Sequence, residues 1–226
     1  MNVLVTAAHP DDETLGAGAT MAKHAADDHA VNVCIFADGV RGRDEKYPKE
    51  VLDRQRAATE KACQVLGVKE VFFLGFKDQQ LDTYSQLELN KKLEEIIRKV
   101  KPEIVYTHHF GDVNTDHRKV CEAVLVATRP FSSRVTRVLS FEVVSSTEWN
   151  APGRSTFTPS VYENVEKTFD KKLEALKCYT ETHEKEVREF PYPRSLEAVE
   201  ALAKKRGSEA GFKRAEAFYL IRERRE

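Results

Sequence analysis

The chain has 226 residues, 41% of them hydrophobic, which is enough apolar material for one sizeable core and fits a single α/β domain. Its 36 Lys and Arg against 37 Asp and Glu give a formal net charge of -1, so no basic excess directs it to nucleic acid or an anionic membrane, and a small-molecule partner is expected. No apolar run approaches the roughly 20 residues that span a bilayer. The apolar start has no basic leader and is broken by His9 and Pro10, too early for a signal peptide, so the protein is expected to be cytoplasmic.

Short apolar runs alternate with stretches of helical period, the pattern of βαβ units around a mainly parallel sheet. In chain order the spacing predicts a strand over 3–7, a helix over 13–27, a strand over 31–37, a helix over 49–66, a strand over 70–74 and a helix over 85–100. A strand over 103–107, a helix over 116–128 and a strand over 138–143 follow. Gly67 is placed to close the second helix, and Pro102 follows the third. Residues 145–162 are rich in Ser, Thr, Pro and Gly and hold Glu148, Arg154 and the only tryptophan, Trp149; a loop of that length is expected to serve the active site. Residues 163–206 read as helices interrupted at Pro191 and Pro193, ahead of a last strand over 217–221 and a solvated charged tail over 222–226. Cys34, Cys63, Cys121 and Cys178 form no paired motif and read as reduced, mostly buried thiols, while His24, His29 and His183 read as surface residues. One domain over 1–226 is expected, with the oligomeric state open, a homo-oligomer included.

The informative segment is Ala8-His9-Pro10-Asp11-Asp12-Glu13, at the carboxyl end of the first strand, where open α/β sheets bind ligands. The carboxylates crowded with a histidine into one turn repel each other unless a cation sits among them, and a divalent metal is the obvious one. His9 and Asp12 then supply two ligands. A catalytic zinc takes three protein ligands and keeps one position for water, so the third should come from another strand end. Residues 107–117 offer His108, His109 and His117; spacing does not choose among them, but His117 starts a helix that fixes its ring, and it is favoured. The simpler readings are a helix start at 9–13 with its carboxylates on the helix dipole, and Asp116 as a cap.

Two other classes compete. A dinucleotide-binding NAD-type oxidoreductase would use Gly16, Gly18 and Asp38, yet those glycines sit a turn inside the helix, and Asp11 and Asp12 would repel a pyrophosphate. A non-catalytic metal-binding or sugar-binding module is the third reading.

The AHPDDE element and the later Asp116-His117 pair resemble those of the zinc-dependent amino-sugar de-N-acetylases, the family of N-acetylglucosaminyl-phosphatidylinositol de-N-acetylase and the LmbE-like bacterial proteins. The resemblance runs from Met1 to about Val144, and more weakly to Ala215-Glu216-Ala217-Phe218. It implies a Rossmann-like three-layer fold and zinc-dependent hydrolysis of the acetamide of an N-acetylated amino sugar, of N-acetylglucosamine type, free or linked to phosphate, nucleotide or lipid. It also implies His9, Asp12 and His117 as zinc ligands and Asp11 as general base. Many members carry HPDH at the second element, whereas this chain reads Asn114-Thr115-Asp116-His117. Asn114 can donate a hydrogen bond but carries no titrating proton, so it is expected as a neutral oxyanion donor, and Asp116 is left to orient His117 or a substrate hydroxyl. For the substrate, Arg41 comes first among Arg41, Arg43, Arg54 and Arg56 to meet a phosphate at the mouth. Trp149 and Arg154 are placed to cover a sugar ring, with burial of Trp149 as plain core the alternative.

Overall fold

Side chains of β1 (Asn2–Ala7) alternate between two cores: Val3, Val5 and Ala7 pack into one, Leu4 and the following Ala8 into the other. A strand covered on both faces reads as an unbroken apolar run, as this one does. The computed structural model describes residues 1–40, 48–151, 155–182 and 186–225. Along it follow α1 (Asp12–Ala26), β2 (Ala30–Ala37), α2 (Lys49–Val65), β3 (Glu70–Phe76), α3 (Gln86–Val100), β4 (Ile104–His108), α4 (Thr115–Ala127) and β5 (Arg137–Phe141). Then come β6 (Val161–Asn164), α5 (Phe169–Lys177), α6 (Leu196–Ala210) and β7 (Ala215–Glu223), with short 3-10 turns at Leu81–Thr83 and Thr147–Trp149.

The strands form one sheet in the order β3-β2-β1-β4-β5-β7-β6. The first five strands of the chain run parallel, and β7 is antiparallel to both β5 and β6. Leu15 and Met21 of α1, Ala62 of α2, Leu176 of α5 and Val199 of α6 cover the Val3 face; Leu89 and Leu93 of α3 and Val120 and Val124 of α4 cover the Leu4 face. This is the expected three-layer α/β fold. The chain leaves β1 toward α1 on one face and leaves β4 toward α4 on the other. The two connections therefore part at the carboxyl edge and open a crevice between neighbouring strands.

Local signals explain most boundaries. Ser85 Oγ accepts the Glu88 N–H at 3.2 Å to start α3, and Gly67, at φ 77°, turns the chain out of α2. α1 is irregular at Ala17 (φ -142°), and there Glu216 of β7 accepts the N–H groups of Ala19 and Thr20 at 3.1 and 2.7 Å. Lys172 of α5 donates to Glu216 at 2.6 Å and to the Leu15 carbonyl at 2.7 Å, so a buried ion pair replaces the interrupted helix bonds.

The carboxyl-terminal part departs from expectation. Glu163 lies in β6 rather than at a helix start, because residues 161–164 pair with β7. Residues 178–182 and 186–195 are irregular, with a cis Phe190–Pro191 bond, and the last strand is longer than its apolar stretch because β5 and β6 flank it. His24 and His29 are half-buried rather than surface residues: the Nδ1 atoms lie 2.9 Å apart, and His24 Nε2 lies 2.9 Å from the Tyr106 hydroxyl. His183 lies outside the described residues. All four cysteines are free, three of them buried. Among the described residues no helix is long and apolar enough to cross a membrane.

Candidate active site

The turn after β1 is tight. Asp11 adopts φ 101°, a region that residues other than glycine rarely enter, and the carbonyl of this same residue accepts the N–H of Leu15 at 2.8 Å. Asp12 opens α1, and its Oδ2 accepts the His9 N–H at 2.9 Å. That oxygen also lies 3.1 Å from His9 Nδ1 and 3.2 Å from His117 Nε2. Ligand-type atoms of His9, Asp12 and His117 thus fall within 4.8 Å of one another. The other oxygen of Asp12 is buried and has no hydrogen-bond partner among the described residues. Two imidazole nitrogens and a carboxylate with a spare buried oxygen suit a divalent transition metal.

The charges agree. Burial works against ionisation of Asp12, yet His117, His108 and His9 hold its pKa well below the usual carboxylate range. Burial likewise opposes the protonation of His9 and His117, but Asp116, Asp12 and Asp78 raise the first well above its ordinary value, and Asp12 and Asp112 raise the second. The cluster draws positive charge to its centre, which a cation satisfies and a pair of neutral imidazoles does not.

The residues around this cluster are assigned differently from the sequence reading. His117 is oriented by Asp112, whose Oδ2 is 3.2 Å from His117 Nδ1, and not by Asp116. Asp112 in turn accepts from the Asn114 N–H at 2.8 Å, from Thr147 Oγ1 at 2.6 Å and from Ser146 Oγ. Burial is overcome there too, and His117, Ser146 and Thr147 keep Asp112 well below its ordinary value. Asn114, not Asp116, caps α4: its Oδ1 accepts the Asp116 N–H at 2.9 Å. Asp116 points into the site, with Oδ2 3.1 Å from His9 Nε2 and Oδ1 accepting the Leu81 N–H at 3.0 Å. Asp78 reaches the same His9 nitrogen at 2.9 Å.

The other two histidines separate cleanly. His108 is fully buried, accepts the Ala8 N–H at 2.8 Å through Nε2 and stacks on His117 at 3.9 Å, and burial together with His117 holds it well below its ordinary value. It supports the His117 ring. His109 turns away, its Nε2 3.0 Å from the Ser155 carbonyl.

Asp11, 1% exposed, faces Arg194: Nη1 donates to its Oδ2 at 2.7 Å and to Glu186 Oε2 at 2.8 Å, while Nε donates to Ser145 Oγ at 2.7 Å. Burial raises Asp11 well above the carboxylate range, more than Arg194 lowers it. Arg194, Asp112, Asp78 and Glu13 were not singled out by the sequence. Asp112 had a signal, standing five residues before His117; Arg194 lies far beyond the stretch that carries the resemblance, marked only by nearby prolines.

Trp149 is 59% exposed, which removes the reading of it as core. Arg41 and Arg154 lie outside the described residues. Gly16 and Gly18 are packing positions: a Cβ on Gly16 would fall 2.2 Å from the Phe141 ring, and one on Gly18 would fall 3.1 Å from the Lys172 stem. They admit neighbours to α1 rather than cradle a phosphate.

An α/β sheet with a His/Asp cluster at the parting of β1 and β4 defines a class of proteins built for small ligands in a metal-type site. Within it, the family model for GlcNAc-PI de-N-acetylase (PIG-L) matches residues 4–128, and the chain belongs to this family of deacetylases. It is 34% identical to the uncharacterized deacetylase YaiS of Escherichia coli over 184 residues, 77% of this chain and 88% of that one. A probable N-acetyl-α-D-glucosaminyl L-malate deacetylase of Bacillus cereus is 29% identical over 184 residues, 77% and 80% of the two chains. Among solved structures, N,N'-diacetylchitobiose deacetylase of Pyrococcus horikoshii superposes with a TM-score of 0.76 at 21% identity over 97% of this chain and 83% of that one. The 4-carboxy-2-hydroxymuconate hydratase of Pseudomonas putida reaches the same TM-score of 0.76 at 22% identity over 100% and 98%. At such identities the likeness is one of fold, and a hydratase among the neighbours means that the fold does not choose the reaction.

Proposed function

We propose that this protein is a zinc-dependent deacetylase that hydrolyses the acetamide of an N-acetylated amino sugar, of N-acetylglucosamine type, to acetate and the free amine. The observation that carries this reading is the convergence of His9, Asp12 and His117 beside a buried carboxylate, Asp11, that Arg194 engages outside the cluster. His9, Asp12 and His117 would hold the zinc. When bound, zinc supplies Lewis acidity that activates water and polarises the acetamide carbonyl. Asp11 takes the proton of the attacking water and later gives one to the leaving amine, a role that suits a buried carboxyl raised above its ordinary range. Asp112 fixes the His117 ring; Asp116 and Asp78 fix the His9 ring. Asn114, its carbonyl spent on the α4 cap, keeps an amide N–H for a developing oxyanion.

Of the expected 145–162 loop, residues 145–151 serve the active site, since Ser146 and Thr147 bond to Asp112 and the exposed Trp149 offers an aromatic face to a sugar ring, while residues 161 and 162 belong to β6. Arg41 and Arg154 are further candidates for substrate contacts. Four free thiols suit a reducing, cytoplasmic compartment. The family model is that of GlcNAc-PI de-N-acetylase and one relative is a probable N-acetyl-α-D-glucosaminyl L-malate deacetylase, which supports the same acetamido group here with its linkage open. The test is acetate release from free, phosphorylated, nucleotide-linked, malate-linked and lipid-linked N-acetylglucosamine, before and after zinc removal by a chelator. Release from at least one substrate, abolished by the chelator and restored by zinc, is expected; bound zinc with no release from any would favour a binding module.

A further inference from the structure

We propose that the irregular segment after α5 is a two-point clamp on Asp11, with Tyr179 and Arg194 as positioning residues for the hydrolysis; this rests on Asp11 acting as the base. Asp11 is held at both ends. Its N–H donates to Glu13 Oε2 at 3.0 Å, and Glu13 Oε1 accepts from Tyr179 Oη at 2.6 Å and from Thr14 Oγ1 at 2.6 Å. Glu13 and Tyr179 are both fully buried, so these hydrogen bonds are sheltered from competing water. They hold the turn in which Asp11 keeps its positive φ of 101°. The carboxylate end belongs to Arg194, which donates to Oδ2 at 2.7 Å and is itself steadied by Glu186 and by Ser145, another residue at positive φ (68°).

Oδ1 of Asp11 makes no hydrogen bond among the described residues, so the clamp presents one oxygen for proton transfer and ties down the other. Arg194 reaches Asp11 directly and Tyr179 reaches it through Glu13, both from beyond residues 4–128, the stretch that the family model matches. The catalytic turn of the first strand is therefore completed by a segment the common motif does not contain. A base displaced by about 1 Å loses rate rather than affinity, because its contact matters only as the proton moves.

The test uses the full-length, zinc-loaded protein with Arg194→Ala, Arg194→Lys and Tyr179→Phe. Arg194→Ala should lower kcat about a hundredfold with KM and zinc content unchanged, added guanidinium should restore part of the loss, and Arg194→Lys should retain more activity than Arg194→Ala. Tyr179→Phe should lower kcat by about tenfold at unchanged KM, since it removes one of three donors to Glu13. Rates within about twofold of wild type in both, or a rise in KM alone, would overturn the clamp. Crystal structures of the same variants read it without turnover: Asp11 in a new rotamer in Arg194→Ala or Arg194→Lys supports it, and an unmoved carboxylate in both contradicts it. Failure of the wild type to hydrolyse any acetamido sugar would instead sink the proposed function and leave those structures to decide the clamp.

Discussion

His117 turns Nε2 toward Asp12 because its Nδ1 is taken by Asp112, the two ring nitrogens lying 3.2 Å from one carboxylate each. A carboxylate behind a metal-binding imidazole fixes the tautomer and strengthens the ligand. Asp112→Asn should therefore weaken zinc affinity about 10- to 100-fold, measured by chelator competition, with the fold retained. Unchanged affinity would mean that Asp112 serves only the Ser146 and Thr147 contacts.

Asn114 has two jobs that separate by substitution. Its Oδ1 caps α4, so Asn114→Ala should lower stability by about 1 kcal/mol in thermal or denaturant unfolding. Asn114→Asp keeps the cap and removes the amide donor; turnover should fall about a hundredfold, as loss of one oxyanion donor does, while stability stays near wild type. A fully active Asn114→Asp would leave Asn114 as a cap alone.

At the other end of the sheet, burial and then the neighbouring His29 push His24 down to about 4 from an ordinary 6.5. Tyr106, Glu163, Lys23 and Asp27 are the other groups that face or act on it. The folded protein keeps this ring neutral while the unfolded chain binds a proton, so stability is lost as pH falls from about 6.5 to 4. His24→Gln should shrink the drop in melting temperature between neutral and acid pH. An equal drop in both proteins would place the acid-sensitive group elsewhere.

Gly16→Ala tests packing by its sign. Within a helix the change ordinarily stabilises by about 1 kcal/mol. Here the new methyl would meet the Phe141 ring at 2.2 Å, and overpacking of that kind costs about 1–3 kcal/mol. A lower melting temperature is expected; a higher one would show that Phe141 yields without cost.

Much of this architecture could be read before the structure. Apolar runs such as those of β1 and β2 are short and buried on both faces, so their identity is local, and the crowded charges at 9–13 pointed to a cation-binding turn without any long-range contact. What escaped depends on long-range contact. Glu163 looks helical by its neighbours and becomes strand because β7 lies beside it. His24 and His29 carry no local sign that Tyr106 lies against them. Asp116 and Asp112 both precede His117, and only the folded turn ahead of α4 and the first turn of that helix decide that the second reaches its ring while the first reaches His9. Arg194 meets Asp11 across 183 positions of chain, a distance at which spacing carries no information.

Turnover by Asp11→Asn at full zinc loading tests the central claim most directly. The amide preserves the size of the side chain but cannot take a proton, so kcat should fall by at least about a hundredfold while zinc content and substrate affinity stay at wild-type levels. Near-normal turnover would remove Asp11 from the reaction, and loss of zinc would make it a ligand; either result would contradict the account.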